Sequence, residues 1–349
     1  ISINETLTTL NTTIENYRKL NINIYSENKT LAGDLTMKYI ITGGAGFIGS
    51  HIAEELSRNH EVIIVDDLSS GKESNISSLP IQFKQGTITD LPFLMEVFKG
   101  ADGVFHQAAI TSVPRSVKSP LPTHEVNCTG TLNVLLAARD SGVRKVVCAS
   151  SSSVYGDTPV FPKDETMIPC PLSPYGISKL TGEHYARVFS ELYGLQTVSL
   201  RYFNVFGPRQ DPQSEYAAVI PKFITKILGH ESPVIYGDGS QTRDFTFVKD
   251  VVQANIRAME SSAEGIFNIA YQDRIDLNAL AAMIMDIIGI HVPVLYDPPR
   301  PGDIHDSLAD VGRAKESFGY EPKYTVRTGI EETIEWFRKP EIVSIRKDQ

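Results

Sequence analysis

Short apolar runs alternate with longer segments of helical periodicity between residues 37 and 203. Runs rich in β-branched and aromatic residues predict buried strands, and apolar residues spaced by three and four predict helices. The strands are predicted at residues 39–41, 62–65, 81–83, 103–106 and 145–149, and the helices at 51–60, 94–98 and 126–140. Strands that alternate with helices of these lengths predict an α/β fold, in which a parallel sheet is covered on both faces.

Three glycines follow the first strand at three-residue spacing, in TGGAGFIGS. Gly43 would permit the sharp turn from strand to helix, Gly46 would let a pyrophosphate approach the backbone, and Gly49 would let the helix pack closely on the strand. The phosphates would lie at the helix N-terminus, where free N–H groups favour negative charge. No Lys-Ser/Thr pair follows to make a P-loop. The sequence therefore predicts a dinucleotide site in a Rossmann-type, doubly wound parallel sheet.

The second strand ends in two acidic residues, Asp66 and Asp67. A carboxylate here can accept hydrogen bonds from both ribose hydroxyls of an adenosine, and it would repel a 2′-phosphate. No Arg stands beside the pair, so the sequence predicts NAD rather than NADP. Gln107 and Ser151 follow other strands, and ligands are expected beyond these carboxyl ends of the sheet.

The alternation loosens after about residue 203, where prolines and glycines cluster. We expect a smaller, discontinuous α/β substrate domain there, because the segment around 246–259 again has the character of the sheet domain. The NAD-binding domain is expected at residues 37–203 plus about 236–262, and the substrate domain at about 204–235 and 263–340.

Residues 1–36 differ from the rest because they are rich in Asn, Thr and Ile. One apolar stripe of helical spacing runs through Leu7, Leu10, Ile14 and Tyr17. The first strand begins directly after Met37, so we expect a nonessential N-terminal extension.

Composition narrows the class of protein. The 349 residues are 41% hydrophobic, which is enough for a large core, and the net charge of -9 argues against a nucleic-acid partner. The three cysteines lack metal-ligand spacing, so no metal site is expected. No apolar run could span a membrane and no signal-peptide pattern opens the chain, so we expect a cytoplasmic protein without a membrane partner.

A tyrosine and a lysine stand four residues apart in SPYGISK. Pro174 would open a helix that places Tyr175 and Lys179 on one face. The ordinary pKa of tyrosine is about 10, so a base here needs help, and a neighbouring lysine ammonium would lower the pKa of the phenol. A hydroxyl from the serine run 150–153 could complete a proton relay. Such a pair is common by itself, but downstream of a dinucleotide site it indicates a catalytic site.

At these segments the chain resembles the extended short-chain dehydrogenase/reductase family and, within it, the UDP-hexose 4-epimerases. The resemblance extends from Met37 to about Phe337, through TGGAGFIGSH, DDLSSG, HQAA, NCTGTLNVL, SSSSVYG, SPYGISK, LRYFNVFGPRQ, GDGSQTRDF and RPGDIHDSLAD. It implies an enzyme that interconverts UDP-sugars at C4 through a 4-keto intermediate, with NAD as the cofactor. It also implies a homodimer.

The resemblance further implies roles for single residues. Tyr175 would be the catalytic base, Lys179 its partner and Ser151 the catalytic hydroxyl. The cofactor would contact Tyr175 and Lys179 together with Gly43, Gly46, Phe47, Ile48, Gly49, Asp66, Asp67, Ile88, Gln107, Ala108, Ala109, Asn127 and Phe203. The UDP-sugar would contact Ser151, Ser152, Ser153, Asn204, Ala218, Val219, Tyr236, Arg243, Arg300, Asp303 and Ser307. The family usually has an acid at the position of Thr87, so weaker adenine anchoring is expected.

Ser307 bears on the choice of sugar. It stands where a tyrosine in the family restricts the pocket to plain hexoses, and a small residue leaves volume beside C2 for an N-acetyl group. The chain is similar in particular to the UDP-N-acetylglucosamine 4-epimerases. This resemblance implies interconversion of UDP-GlcNAc and UDP-GalNAc, with UDP-Glc and UDP-Gal as a second pair.

Other functions share this scaffold. A 4,6-dehydratase would carry an Asp-Glu pair where Ser152 and Ser153 stand, which argues against dehydration. A UDP-glucuronate 4-epimerase or decarboxylase stays open, and it would need a cation for the C5 carboxylate. The non-enzymatic alternative is an NAD-sensing regulatory protein, against which the retained Tyr175 and Lys179 argue.

Overall fold

Strands and helices alternate along the chain as the apolar pattern predicts. The structure, a computed structural model, describes residues 36–212, 218–299 and 304–339. The apolar stripe expected within residues 1–36 lies outside the described residues. The strands are, in chain order, β1 (Lys38–Thr42), β2 (Glu61–Asp66), β3 (Gln82–Gln85), β4 (Gly103–His106), β5 (Lys145–Ser151), β6 (Gln196–Tyr202), β7 (Val205–Phe206), β8 (Val234–Tyr236), β9 (Thr242–Arg243), β10 (Thr246–Phe247), β11 (Gly265–Ile269), β12 (Ile275–Asp276) and β13 (Leu295–Asp297).

Helices connect these strands. They are α1 (Phe47–Leu56), α2 (Leu91–Val97), α3 (Val113–Lys118), α4 (Pro120–His124), α5 (Gly130–Asp140), α6 (Pro174–Tyr193), α7 (Val219–Leu228), α8 (Val248–Glu260), α9 (Leu277–Ile288), α10 (Gly312–Phe318) and α11 (Val326–Phe337). Glu73–Asn75 and Ser152–Tyr155 form short 3-10 turns, and Glu125–Thr129 forms a π-helical turn. Among the described helices, none is long and apolar enough to cross a membrane.

Seven strands form one central parallel sheet, in the order β11-β6-β5-β4-β1-β2-β3. The inner strands are apolar on both faces, and Ile40, Ile41 and Ile64 are fully buried, because helices cover both sides. The predicted Rossmann-type, doubly wound α/β fold is therefore confirmed. The chain builds outward from β1 to β3 and then crosses to β4 on the other side of β1, so the switch point lies between β1 and β4.

Two hydrophobic cores support the sheet and the remaining helices. One contains Val104, Val134 and Val146 and lies between the sheet and α2, α5 and α6. The other is built mainly by α7, α9 and α11, and its centre includes Phe223 and Ile284. Phe47 and Ile48 of α1 also pack against this second core, and the division into a cofactor domain and a substrate domain stays a prediction.

Three boundaries differ from the sequence expectation. Strand β11 pairs with β6, so residues 265–269 belong to the central sheet, although the expected boundary at residue 263 placed them in the substrate domain. Strand β5 continues to Ser151 instead of ending at residue 149. The helix expected from residue 126 begins as the π-helical turn and becomes α-helical only at Gly130.

Candidate active site

The glycine loop after β1 lies at the switch point, against the end of β4. Gly43 has a φ of +69°, and a Cβ there would lie 2.6 Å from the backbone nitrogen of Ala108. A Cβ at Gly49 would lie 2.3 Å from the carbonyl oxygen of Gly43. Both contacts are with backbone, which cannot move aside, so the turn and the close packing of α1 on β1 require glycine.

Gly46 is different, because the protein itself leaves space around it. A Cβ there would meet only the Gly43 carbonyl oxygen, at 3.1 Å. Gly46 is also the N-cap of α1, which has no side-chain cap and no acidic residue in its first turn among the described residues. An open glycine before an uncapped helix leaves the first N–H groups available to an anion, which fits a pyrophosphate.

Asp66 is buried at the end of β2, beside this loop. Its Oδ2 accepts a hydrogen bond from Ala45 N (3.0 Å) and its Oδ1 accepts one from Leu68 N (2.8 Å). Burial raises the pKa of the Asp66 carboxyl, and these two bonds oppose the shift. A carboxylate has about four acceptor positions, so two remain for ribose hydroxyls. Asp67 is exposed, and its Oδ1 accepts from Ser69 N (2.9 Å).

The adenine side of the expected cofactor site is formed by the segment after β3. The Ile88 side chain is 3% exposed and packs in the core beneath the sheet, while its carbonyl accepts from Asn133 Nδ2 (3.2 Å). Thr87 Oγ1 lies 3.0 Å from Thr89 Oγ1. The side chain of Ile88 is thus a core residue, and a contact between Ile88 and the cofactor stays a prediction.

A buried polar network fixes the end of β4. His106 lies between Thr42 Oγ1 (2.7 Å) and Thr131 Oγ1 (2.9 Å), and burial, aided by the charge of Lys179, lowers its pKa to about 3. The imidazole is therefore neutral and joins β1 to α5. The sequence analysis missed His106, although it precedes Gln107 directly in the HQAA segment.

Gln107 belongs to a second network, at the carboxyl ends of β4 and β6. Its Nε2 donates to Tyr202 OH (3.2 Å) and to Asn255 Oδ1 (3.1 Å). Asn255 lies on α8, so this network connects α8 to the sheet at the predicted cofactor side. Ala108 and Ala109 follow on the same partly buried segment.

Tyr175 and Lys179 lie on α6, as their spacing predicts. Ser173 caps this helix by accepting from Gly176 N (3.1 Å), with Pro174 in the first turn. A side-chain hydrogen bond with Ser151, at the end of β5, lowers the pKa of the Tyr175 phenol. Lys179 Nζ donates to the carbonyl of a β5 residue, Ala149 O (2.8 Å), and lies 5.9 Å from the centroid of the Tyr175 ring.

The electrostatics of this cluster differ from the sequence expectation. Burial raises the pKa of the Tyr175 phenol, and the group that lowers it is Ser151 rather than Lys179. Burial also lowers the pKa of Lys179 to about 8. In the protein without its ligands Lys179 does not lower the pKa of the phenol, and the expectation that it does so together with a bound nicotinamide ring stays a prediction. Desolvation is the largest cause of both shifts, since Tyr175 is buried and Lys179 is only partly exposed.

The two serines after Ser151 complete this corner. Ser151 Oγ accepts hydrogen bonds from Ser153 N (3.2 Å) and from Ser153 Oγ (2.9 Å). Ser152 begins the 3-10 turn Ser152–Tyr155 and is partly exposed. The described structure thus brings Ser151, Ser153 and Tyr175 together.

Asn127 connects α6 to the segment after β4. Its Oδ1 accepts from Ile110 N (2.8 Å), and its Nδ2 donates to Ile110 O (3.0 Å) and to Ser178 Oγ (3.0 Å). Ser178 lies on α6 between Tyr175 and Lys179. Asn127 itself stands within the π-helical turn, a feature that is frequent at functional sites.

A cavity of about 800 Å³ opens away from this cluster, beside β8 and β13. Two predicted substrate residues, Tyr236 and Arg243, line it, and Arg243 Nη1 donates to Thr242 O (2.9 Å) and His305 O (2.8 Å). Arg300 and Asp303 lie outside the described residues. The other described lining residues, which the sequence analysis missed, are Gly237, Asp238, Gln241, Tyr296, Asp297, Pro299, Ile304 and His305. Glycines and prolines around them are the signal of a ligand-binding loop region.

Ser307 and Asn204, which are both expected to contact the substrate, are hydrogen-bonded to each other, and their contacts with a ligand stay predictions. Ser307 Oγ donates to Asn204 Oδ1 (3.2 Å) and accepts from Asp244 N (3.1 Å). Asn204 has a φ of +26°, which is uncommon for a residue with a side chain. Burial raises the pKa of the Asp244 carboxyl to about 7.

The remaining predicted contacts are dispersed. Phe203 is buried beside the Tyr155 ring, with the ring centroids 6.1 Å apart. Ala218 is the N-cap of α7 and Val219 its first residue. Phe47 and Ile48, in the first turn of α1, pack against the second hydrophobic core. Their contacts with ligands stay predictions.

Comparison with known proteins places this geometry in a family. The sequence profile of the NAD dependent epimerase/dehydratase family matches residues 39–270. The UDP-N-acetylglucosamine 4-epimerase of Methanobrevibacter ruminantium, solved with UDP-N-acetylmuramic acid, is 42% identical with a TM-score of 0.84, covering 86% of this chain and 98% of its own. The UDP-glucose 4-epimerase of Thermus thermophilus, solved with NAD, is 37% identical with a TM-score of 0.81, covering 87% and 100%.

The relatives also include another reaction. The UDP-N-acetyl-alpha-D-glucosaminuronate decarboxylase of Bacillus cytotoxicus is 38% identical over 322 residues, which cover 86% of this chain and 98% of that protein. Fold and overall similarity therefore do not separate epimerisation from decarboxylation. What these proteins share is the family, and this chain belongs to the NAD dependent epimerase/dehydratase family.

Proposed function

We propose that the protein is a NAD-dependent UDP-sugar 4-epimerase that interconverts UDP-GlcNAc and UDP-GalNAc and, as a second pair, UDP-Glc and UDP-Gal. The observation that carries this proposal is the position of Lys179, whose Nζ lies 5.9 Å from the centroid of the Tyr175 ring and donates to Ala149 O (2.8 Å), two residues before Ser151 at the end of β5. These residues lie at the carboxyl edge of the sheet, where the glycine loop follows β1.

The loop has the features that NAD requires. Gly46 leaves open space before an uncapped helix, and Asp66 retains acceptor positions for the adenosine ribose. When bound, NAD supplies the acceptor and donor of the hydride at C4. The expected holding residues are those of the loop, of β2 and of the segment after β4.

The side chains of this site move the proton. Tyr175 would accept the proton of the C4 hydroxyl and return it after the sugar has turned over, and Ser151 would hydrogen-bond the reacting oxygen. Lys179, with a pKa of about 8, is mostly protonated at pH 7 and places a positive charge near the phenol. This charge would favour the phenolate over the neutral phenol during the proton transfer.

The cavity beside β8 is suited to the nucleotide end of the substrate. Its volume of about 800 Å³ is within the usual range for a ligand site. Arg243 lines it with a guanidinium that can form a forked contact with phosphate. A small side chain at position 307, next to Asn204, supports the choice of an N-acetylated sugar.

The relative from Bacillus cytotoxicus favours one alternative, a UDP-uronate 4-epimerase or decarboxylase. The substrate of such an enzyme carries a carboxylate at C5. A decarboxylase would release this group as CO₂, whereas a 4-epimerase would keep it and form a second uronic acid. We therefore assay the purified protein with UDP-GlcNAc, UDP-Glc and UDP-GlcA and resolve the product sugars. Turnover of UDP-GlcA alone would replace the proposed substrates with the uronates.

Tyr175→Phe tests the mechanism in the same assay. The variant loses the hydroxyl that moves the proton, so we expect kcat to fall by at least about 100-fold. Binding of the UDP-sugar should persist, because its nucleotide end is held elsewhere, and calorimetry measures this. A variant with near-normal turnover would remove Tyr175 from its role.

We also propose a homodimer, which an exposed apolar surface supports. Val117, Leu121 and Ile177 are each more than half exposed, and they lie on α3, α4 and α6, which pack against one another. Light scattering measures the mass in solution. Leu121→Asp should convert a dimer to a monomer, whereas a monomeric wild-type protein contradicts this proposal.

A further inference from the structure

A buried ion pair lies beneath the catalytic helix. Glu183 is on α6 and 2% exposed, and Arg201 is on β6 and 1% exposed. Arg201 donates from Nε to Glu183 Oε1 (2.8 Å) and from Nη2 to Oε2 (2.7 Å). Ser150 on β5 donates to the same Oε1 at 2.5 Å. The carboxylate therefore has three donors, from two strands.

These bonds continue a regular series along α6. Tyr175, Lys179 and Glu183 are four residues apart and so share one helical face. Tyr175 bonds to Ser151, Lys179 bonds to the carbonyl of residue 149, and Glu183 bonds to Ser150. Three turns of the helix are thus attached to the last three residues of β5, although not in the same order.

Arg201 holds the far side of this attachment. It pairs in register with Ser150 across β5 and β6, and its guanidinium carbon lies 4.6 Å from the centroid of the Tyr155 ring. A buried ion pair is weak evidence for a gain in stability, because desolvation offsets much of the attraction. The two bonds from Arg201 do, however, fix α6 against β6, and the bond from Ser150 fixes α6 against the end of β5.

We propose that Ser150 and Glu183 are positioning residues for the epimerase reaction, because their hydrogen bond holds α6, and with it Tyr175 and Lys179, against the end of β5. This inference rests on the function proposed above. Neither residue would touch substrate or cofactor. Loss of the bond would let α6 shift against β5, and small displacements of reacting groups are costly to the chemical step while binding is unaffected.

Ser150→Ala removes the bond and leaves the Glu183–Arg201 pair intact. We expect kcat to fall by about 10- to 100-fold, while KM for the UDP-sugar changes by less than about twofold. The amount of bound NAD and the midpoint of thermal unfolding are measured alongside. Glu191→Gln is the matched control on the same helix, since it breaks the exposed Arg187–Glu191 pair (2.9 Å) and should leave kcat unchanged.

Ser150→Thr and Ser150→Val separate the hydroxyl from packing. The two side chains have nearly the same shape, but only threonine can donate to Glu183, so the kcat of the Thr variant should exceed that of the Val variant by about tenfold or more. If the Val variant does not fold, the comparison of the Ala variant with wild type decides.

Two outcomes overturn the inference. The first is an active wild-type protein whose kcat is matched by the Ala variant, or folded Thr and Val variants whose kcat values are equal. Either result removes the positioning role and leaves the proposed function intact. A wild-type protein that turns over no UDP-sugar overturns the proposed function and this inference with it.

Discussion

The substitution Ser307→Tyr tests the choice of an N-acetylated sugar. Ser307 is 9% exposed, so a phenol ring at this position has no route to solvent and must occupy space next to Asn204. Adding bulk to a packed site typically costs about 1–3 kcal/mol. The proposed pocket leaves this space for the C2 N-acetyl group, so the cost should fall on UDP-GlcNAc and much less on UDP-Glc.

The structure shows a second effect of this substitution that must be separated from volume. Ser307 Oγ accepts from Asp244 N (3.1 Å), and loss of that bond leaves a buried donor unpaired, at a cost of about 1–3 kcal/mol. The unpaired donor is present whichever sugar is bound, so its effect on kcat/KM should be the same for both sugars. Only the ratio of the two kcat/KM values therefore reports on volume, and about 1–3 kcal/mol corresponds to a change in that ratio of roughly 5- to 150-fold.

Ser307→Ala is the matched control, since it removes both hydrogen bonds and adds no volume. We expect kcat/KM to fall to a similar extent for UDP-GlcNAc and UDP-Glc in this variant, so that the ratio stays at the wild-type value. The assay is steady-state turnover of both sugars by the three proteins. If Ser307→Tyr lowers both values equally, Ser307 does not select the N-acetyl group, and the preference for UDP-GlcNAc loses its physical support.

Two further predictions concern the cofactor loop and the buried lysine. Gly49→Ala forces a methyl group to within 2.3 Å of the Gly43 carbonyl oxygen, so we expect the free energy of unfolding to fall by about 1–3 kcal/mol and less NAD to be released on denaturation. The control Gly182→Ala places its methyl group 3.6 Å from the nearest neighbour and should be neutral or stabilising. Equal behaviour of the two variants contradicts the packing argument. Burial lowers the pKa of Lys179 from 10.5 to about 8, so between pH 8 and 10 the unfolded chain binds more protons than the folded protein. In urea unfolding, the free energy of unfolding of NAD-free wild type should therefore rise by about 1.4 kcal/mol per pH unit relative to that of Lys179→Met. A difference between the two proteins that does not change with pH would argue against a buried, titrating lysine.

The sequence was sufficient for the elements whose burial is continuous along the chain. Strands such as β1, β2 and β4 are covered on both faces, so their apolar runs identify them without knowledge of their neighbours. The glycine loop was predictable for a similar reason, since Gly43 and Gly49 are required by local backbone geometry. Asp66 could be placed because it directly ends a strand.

Other features depend on partners that are distant in sequence. Strand β11 pairs with β6 more than sixty residues earlier, and the two-residue strands have no periodicity of their own. The cavity wall joins residues between 236 and 243 to residues within 296–299 and 304–305, which no local pattern connects. The pKa of Tyr175 is a balance between desolvation and a single hydrogen bond, and this balance follows from distances that the sequence does not contain.

The π-helical turn at Glu125–Thr129 has a consequence for how the length of the chain can vary. The turn accommodates one residue more than an α-helical turn. Asn127 within the turn is bonded to Ser178, and Thr131 just after it is bonded to His106. Deleting one residue between these anchors would restore α-helical winding and rotate one anchor by about 100° relative to the other, so both sets of partners could no longer be reached. Insertions and deletions should thus be tolerated far less here than substitutions, and an engineered graft or chimera should take this segment whole.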